Sequence, residues 1–313
     1  MRAMAIHEYG SADQFTPTDR PKPTIGPGEV LIRVAAASVN PFDWKRRAGY
    51  LAAFMPAQFP LVLGLDVSGT VEAVGEGVTE FAPGDEIYSM AFDSGGTYAE
   101  YVAAPAAIVA RKPASLGLTS AAAVPLVGLA ANRALAALQL QPGETIVIGG
   151  ASGGVGSIAV QLAAKLGARV IGIASDQNLD YVRSLGAQEA VAYDSQDAAA
   201  TIRAAHPGGV DALLDIMGGD ALLQLAETLR EGGRLTSITA DPGTIAQVQE
   251  RGVNAIGTFA VPSAETLTEL ARLIDDGQLS VKVSAVMPLE EVARAHQLVE
   301  SGQAHGKVVL TVS

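Results

Sequence analysis

The stretch Thr145-Ile146-Val147-Ile148-Gly149-Gly150-Ala151-Ser152-Gly153-Gly154-Val155-Gly156 decides the fold. An apolar run of buried-strand length enters a glycine loop, and apolar residues at helical spacing follow through Leu166. Strand, loop and helix in that order bring unpaired backbone N–H groups and the positive end of a helix dipole to one point, a favourable place for a pyrophosphate. Gly150, Gly153 and Gly156 let the backbone approach the phosphates and the helix pack on its strand, while Ser152, Gly154 and Val155 add backbone and hydroxyl contacts. The spacing departs from the usual G-x-G-x-x-G, and a purely structural turn competes with it. The strand-loop-helix setting favours a dinucleotide.

Downstream the unit recurs in type. Strands are expected at Arg169 to Ala174, Glu189 to Tyr193, Val210 to Asp215 and Gly233 to Ile238, separated by helices at Asp180 to Leu185, Ala198 to Ala205 and Asp220 to Leu229. Such alternation requires right-handed crossovers and gives a parallel sheet covered on both faces. Ile238, Thr239 and Ala240, at the carboxyl end of a strand, then belong beside the nicotinamide.

Upstream, short β-type runs broken by Gly and Pro (Val30 to Ser38, Val67 to Val74, Glu86 to Met90, Tyr98 to Ala103) describe a mainly β region. The Ala/Leu-rich stretch Leu118 to Leu140, interrupted by Pro125 and Gly128, marks the change of character. Past Gly257 come a helix at Ser263 to Asp276, a strand near Val281 to Ala285, a helix at Leu289 to Ser301 and a last strand at Lys307 to Val312. These do not continue the strand-helix rhythm. The domains are therefore expected at residues 1–126 with 259–313, and at residues 127–258, the second inserted in the first.

The end of the second strand of the doubly wound domain sets cofactor choice. An acid there accepts the 2′-hydroxyl of NADH, but this strand ends in Ala174-Ser175. A hydroxyl tolerates a 2′-phosphate, so NADPH is favoured over NADH, with Asp176 as the competing ribose ligand. Asn178, Arg183 and Lys307 are candidate phosphate partners.

The chain has 313 residues, 33 acidic and 21 basic side chains and a formal charge of −12, which repels nucleic acid and acidic membrane surfaces. It has no cysteine, which excludes disulfides, thiol nucleophiles and Cys-containing zinc sites. The N-terminus turns polar before any run of signal-peptide length, and no later stretch is expected to span a bilayer, so a cytoplasmic protein without membrane attachment is expected.

Several segments resemble the zinc-independent quinone oxidoreductases, the zeta-crystallin relatives, of the medium-chain dehydrogenase/reductase superfamily. They are Ser38-Val39-Asn40-Pro41-Phe42-Asp43 with Arg47 and Gly49, Gly64-Leu65-Asp66-Val67-Ser68-Gly69, Gly95-Gly96-Thr97-Tyr98-Ala99-Glu100-Tyr101, the Ala151–Gly156 loop, and His305-Gly306-Lys307-Val308-Val309-Leu310. The resemblance covers nearly the whole chain. It implies an α/β fold with a GroES-like β-rich catalytic domain plus a Rossmann doubly wound parallel-sheet domain. It also implies a homodimer formed along the sheet edge near Asn254 to Phe259. Zinc-dependent relatives carry Cys where Asn40 stands and Gly-His-Glu where Gly64-Leu65-Asp66 stands; leucine offers no ligand atom, so no metal is expected.

Without zinc the suitable reaction is hydride transfer to an acceptor already activated by conjugation, a small-molecule quinone or enone. Neutral donors then stabilise the oxyanion that forms. The resemblance places Asn40 at the nicotinamide pocket, with a turn residue before Pro41 as the alternative. Asp43 is a catalytic candidate that equally suits holding the loop. Tyr50 is the candidate proton donor, and Trp44, Phe54 and Phe259 are candidate substrate contacts. Enoyl or alkenal C=C reduction, and cofactor binding without turnover, remain alternatives.

Overall fold

The computed structural model describes residues 1–312 and divides into two compact units, Met1–Leu126 with Pro262–Ser313, and Val127–Val261. The return to the first unit thus falls at Pro262 rather than at residue 259.

The inserted unit is a six-stranded, all-parallel sheet. In spatial order its strands are Glu189–Ala192, Arg169–Ala174, Thr145–Ile148, Val210–Asp215, Leu229–Ser237 and Asn254–Gly257. Counted along the chain this is the order 3-2-1-4-5-6 of a Rossmann sheet. Val147, Ile171, Leu213 and Leu235 sit at its centre, packed on Leu222 and Leu225 from helix Gly219–Ala226 and Ile202 from helix Ala198–Ala205. Helix Gly219–Ala226 stops short of Leu229, which pairs with Val210 as the start of a strand, so the expected helix to Leu229 is too long. Helix Pro242–Gln249 was not expected. Asp241 caps it, accepting hydrogen bonds from the N–H groups of Gly243 and Thr244, with Pro242 in the first turn.

In the other unit, a seven-stranded sheet is built on the long strand Glu29–Val39. Asp66–Val74 pairs along one side of it; on the other, Lys307–Thr311 pairs with its carboxyl half and Tyr101–Pro105 with its amino half. Val283–Pro288 extends the sheet beyond Lys307–Thr311, and Glu86–Met90 and Val109–Arg111 extend it beyond Asp66–Val74. Residues from both ends of the chain therefore share one sheet. A smaller sheet, Thr16–Asp19, Arg2–Ile6 and Leu61–Val62, adds Ala5 and Ile6 to a core with Val39, Tyr98, Val292 and Leu310. Tyr98 and Ala99, expected in a strand with residues through Ala103, instead meet the first strand: Tyr98 O accepts from Met4 N, and Ala99 bridges Ala3.

Leu118–Leu138 is long and apolar enough to cross a membrane by length and composition, contrary to the expectation that no stretch would be. Of its most apolar 18-residue window 72% is buried within the protein, as in a core helix.

Candidate active site

In the inserted unit, Thr145–Ile148 delivers the glycine loop to helix Gly154–Lys165. The loop is pinned by its own backbone: Gly149 N donates to Leu214 O, Ala151 N to Ile173 O and Gly153 N to Gly150 O. The N–H groups of Ser152, Gly154 and Val155 find no acceptor among the described residues. No side chain caps the helix at Gly153, and no acid stands in its first turn. This leaves the positive end of the dipole uncompensated. A Cβ on Gly156 would stand 2.1 Å from Gly150 O, so glycine is needed where helix and loop touch. Three open donors at an acid-free helix N-terminus fit a pyrophosphate.

Ser175 ends the neighbouring strand, and Asn178 Nδ2 donates to its Oγ at 2.8 Å, so these two candidates do come together, both buried. Asp176, the competing ribose ligand, is exposed, and its N–H donates to Asp194. Arg183 is paired with Asp180 at 2.8 Å on the same helix. Along the carboxyl edge of the sheet, buried Asp215 accepts from Gly218 N, Ser237 Oγ and Thr239 Oγ1. One carboxyl thus fastens two strand ends and the Ile238-Thr239-Ala240 segment. Phe259 is 70% exposed, with the Arg133 guanidinium 5.7 Å from its ring centre.

In the discontinuous unit the sequence candidates separate into a buried and an exposed set. Pro41–Arg47 is a helix that the sequence reading took for a turn. Asn40 precedes it in extended conformation, its N–H donates to Asp43 Oδ2 at 2.8 Å, and Pro41 opens the first turn. Asn40 is fully buried, and both ends of its amide are engaged: Nδ2 donates to Asp66 Oδ2 at 2.9 Å, and Oδ1 accepts from Lys307 Nζ. Asp66 also accepts from Ser38 Oγ at 2.6 Å and Leu126 N at 2.7 Å.

Lys307, a candidate phosphate partner by sequence, is corrected by the structure. Its ammonium is buried beside Val39 O, Asn40 and Asp66, and three acceptors use its three protons. Burial lowers its pKa, and Asp66 and Asp43 act against that. A lysine ammonium bonded to both Asn40 and Asp66 leaves a divalent cation no place between them, so these residues do not fit zinc. No group of three metal-binding side chains occurs among the described residues.

Asp43 is 1% exposed. Burial raises its carboxyl to about pH 7, against the lowering effect of the Asn40 N–H. Tyr98 is raised well above an ordinary phenol, chiefly by burial and then by the nearby Asp43 charge. His296 Nε2 lies 3.1 Å from Tyr98 Oη, and its Nδ1 lies 3.4 Å from Arg47 Nη1. Arginine only donates, so Nδ1 accepts and Nε2 carries the proton. Tyr98 then accepts from His296. Burial holds His296 neutral, with its pKa pushed down to about 3. Sequence reading missed this directed chain because Tyr98 and His296 stand 198 residues apart.

The exposed candidates follow the helix. Tyr50 is 70% and Phe54 85% exposed, and Tyr50 meets Trp44 edge-on with ring centres 5.9 Å apart.

The comparisons agree with this geometry. Residues 26–114 match the family described as the alcohol dehydrogenase GroES-like domain, and residues 185–310 the one described as zinc-binding dehydrogenase. A chloroplast envelope quinone oxidoreductase homolog of Arabidopsis thaliana is 30% identical over 99% of this chain and 98% of its own length. A chloroplastic NADPH-dependent alkenal/one oxidoreductase from the same plant is 30% identical over 99% of this chain and 79% of its own length. A mycobacterial protein solved in complex with NADPH superposes with a TM-score of 0.88 at 30% identity, covering 99% of this chain and 100% of its own. The chain is an oxidoreductase that belongs to the medium-chain dehydrogenase/reductase superfamily, among its quinone oxidoreductase-like members.

Proposed function

We propose that this chain is an NADPH-dependent reductase that passes hydride, without zinc, to a quinone or similar conjugated carbonyl. The observation that carries the reading is the uncapped, acid-free N-terminus of helix Gly154–Lys165, with Ser152, Gly154 and Val155 N–H groups open at the carboxyl edge of a Rossmann sheet. The NADPH named for two of the matched proteins supports the cofactor, and the names of two plant relatives support quinone and enone acceptors.

When bound, a reduced nicotinamide supplies the hydride. The glycine loop holds the pyrophosphate through backbone donors, and Ser175 with Asn178 offers polar groups for the adenosine ribose without an acid at the strand end. Trp44, Tyr50 and Phe54 give a flat acceptor aromatic faces on which to stack. In this reading Tyr50 donates the proton to the oxyanion. Asn40 and Asp43, both buried and bonded to each other, hold the start of the helix that carries Trp44 and leads to Tyr50 and Phe54.

A second copy of the chain pairs along the edge strand Asn254–Gly257, where Ile256 is 46% exposed. Light scattering tests this, and a monomeric mass would overturn it. The lack of cysteine suits a reducing compartment, and we place the protein in the cytoplasm, without nucleic-acid or membrane partners.

The test of function is the initial rate of NADPH and NADH oxidation with 1,4-benzoquinone, 9,10-phenanthrenequinone, a linear enone and a saturated aldehyde, before and after treatment with a chelator. Turnover of the conjugated acceptors with NADPH, unaffected by the chelator, is expected. Turnover of only the aldehyde, or of none, sinks the reading.

A further inference from the structure

Beside helix Pro41–Arg47 lies a partly open pocket of about 210 Å³, lined on the helix side by Phe42, Asp43 and Arg46 and on the other by the segments around Leu63 and Gly96. Positions 42, 43 and 46 share one helical face, so the helix that Asn40 starts presents all three side chains to the same space. Arg46 is the anomaly here. Its Nε is buried without a hydrogen-bond partner, and its guanidinium has no acid within ion-pair distance among the described residues. Acids outnumber bases 33 to 21, and the next residue, Arg47, is paired with Glu300 at 2.7 Å. An arginine left unpaired in so acidic a chain, on the wall of a partly open pocket, is a donor awaiting an acceptor.

We propose that Arg46 forms an anion subsite for a singly charged carboxylate carried by the conjugated acceptor. Planar guanidinium and planar carboxylate match through two parallel hydrogen bonds, which Nε and a terminal nitrogen can supply. The rest of the lining argues for one negative charge on a short apolar stem. Phe42, Leu63 and Leu65 are apolar, whereas Asp43 and the exposed Asp93 oppose a phosphate dianion. Asp43 repels a monoanion little, because burial keeps its carboxyl protonated up to about pH 7. At about 30 Å³ for each water displaced, the cavity has room for roughly seven waters, or a carboxylate with a few carbons. The proposal rests on the reductase reading for its substrate, although binding tests it separately.

The probes are (E)-4-oxopent-2-enoate and its methyl ester, one conjugated enone with and without the charge. In the wild type kcat/KM is expected to favour the acid by about tenfold, the worth of one exposed charge-assisted pair. Arg46→Gln should abolish that preference, Arg46→Lys should keep part of it, and Asp93→Asn, which removes a like charge at the rim, should raise it a few-fold. A preference unchanged by Arg46→Gln, in protein whose urea midpoint shows it folded, overturns the subsite; if the glutamine variant does not fold, the lysine variant decides. Calorimetric titration of the acid into the NADPH-loaded protein separates the two readings. Binding that Arg46→Gln abolishes, without turnover of either probe, keeps the subsite, and the reductase reading then stands or falls on the quinones. Absence of binding removes the subsite even if the ester is reduced.

Discussion

Lys307 Nζ lies 3.4 Å from Asp66 Oδ2, with the lysine side chain 5% and the aspartate side chain 0% exposed. Two charges taken out of water persist only when each has the other and further hydrogen bonds besides. Ser38, Asn40 and Leu126 supply those bonds to Asp66.

Removing one partner is therefore worse than removing both. Lys307→Met is expected to lower stability by about 3–5 kcal/mol, and Asp66→Asn alone by a similar amount. The double variant should lose clearly less than the sum. Urea unfolding of the four proteins measures this, and simple additivity would remove the coupling.

Asp43 and His296 give opposite pH dependences. The folded Asp43 is raised to about 7, so its contribution is present at low pH and is lost as pH rises from about 4 to 7. The folded His296 is lowered to about 3, so its contribution is present above about 6.5 and is lost as pH falls towards 3. Each slope reaches about 1.4 kcal/mol per pH unit, and between pH 4 and 6.5 the two oppose. Asp43→Asn should make stability rise with pH across that window, and His296→Gln should make it fall. Urea midpoints measured from pH 4 to 7 check both signs.

The glycine loop separates a packing role from a binding role. Gly156→Ala puts a methyl 2.1 Å from Gly150 O, and is expected to cost about 1–3 kcal/mol of stability as well as nucleotide affinity. Gly153→Ala meets only Gly150 O at 3.3 Å, and should fold normally while binding NADPH more weakly. Thermal unfolding and fluorescence titration distinguish them; equal stability loss in both variants would contradict the assignment.

Ser175→Asp places a negative charge where the 2′-phosphate is expected. NADPH affinity should fall on the order of tenfold more than NADH affinity, read from the two Kd values. Unchanged selectivity removes Ser175 from that role.

Helix and strand periodicity made the inserted sheet legible: Val210–Asp215 and Ala198–Ala205 lie where the apolar spacing puts them. Local polar grammar was read less well. Asn40-Pro41-Phe42-Asp43 looks like a turn until Asp43 is seen accepting from Asn40 N, which makes the motif a helix start. The candidate site suffered most where function depends on distant partners. Lys307 is an exposed-looking cation in the sequence, and only the pairing of Lys307–Thr311 with Glu29–Val39 turns it towards Asn40 and Asp66. Arg46 carried no signal at all, because an arginine is recognisable as unpaired only when its neighbours in space are known.

The shared sheet reverses the order in which the two units reach completion. Glu29–Val39 is synthesised early, yet 268 residues separate Val39 from Lys307, on the strand that pairs with it. At about 5–20 residues per second, ribosomes take on the order of 13–54 seconds to bridge that gap. Throughout that interval the carboxyl half of one flank of the early strand has no neighbour, and Asp66 lacks Lys307 as its counter-charge. The unit that starts second finishes first, so the nascent chain carries a closed nucleotide fold while its older half still exposes a strand edge to whatever binds such edges in the cell.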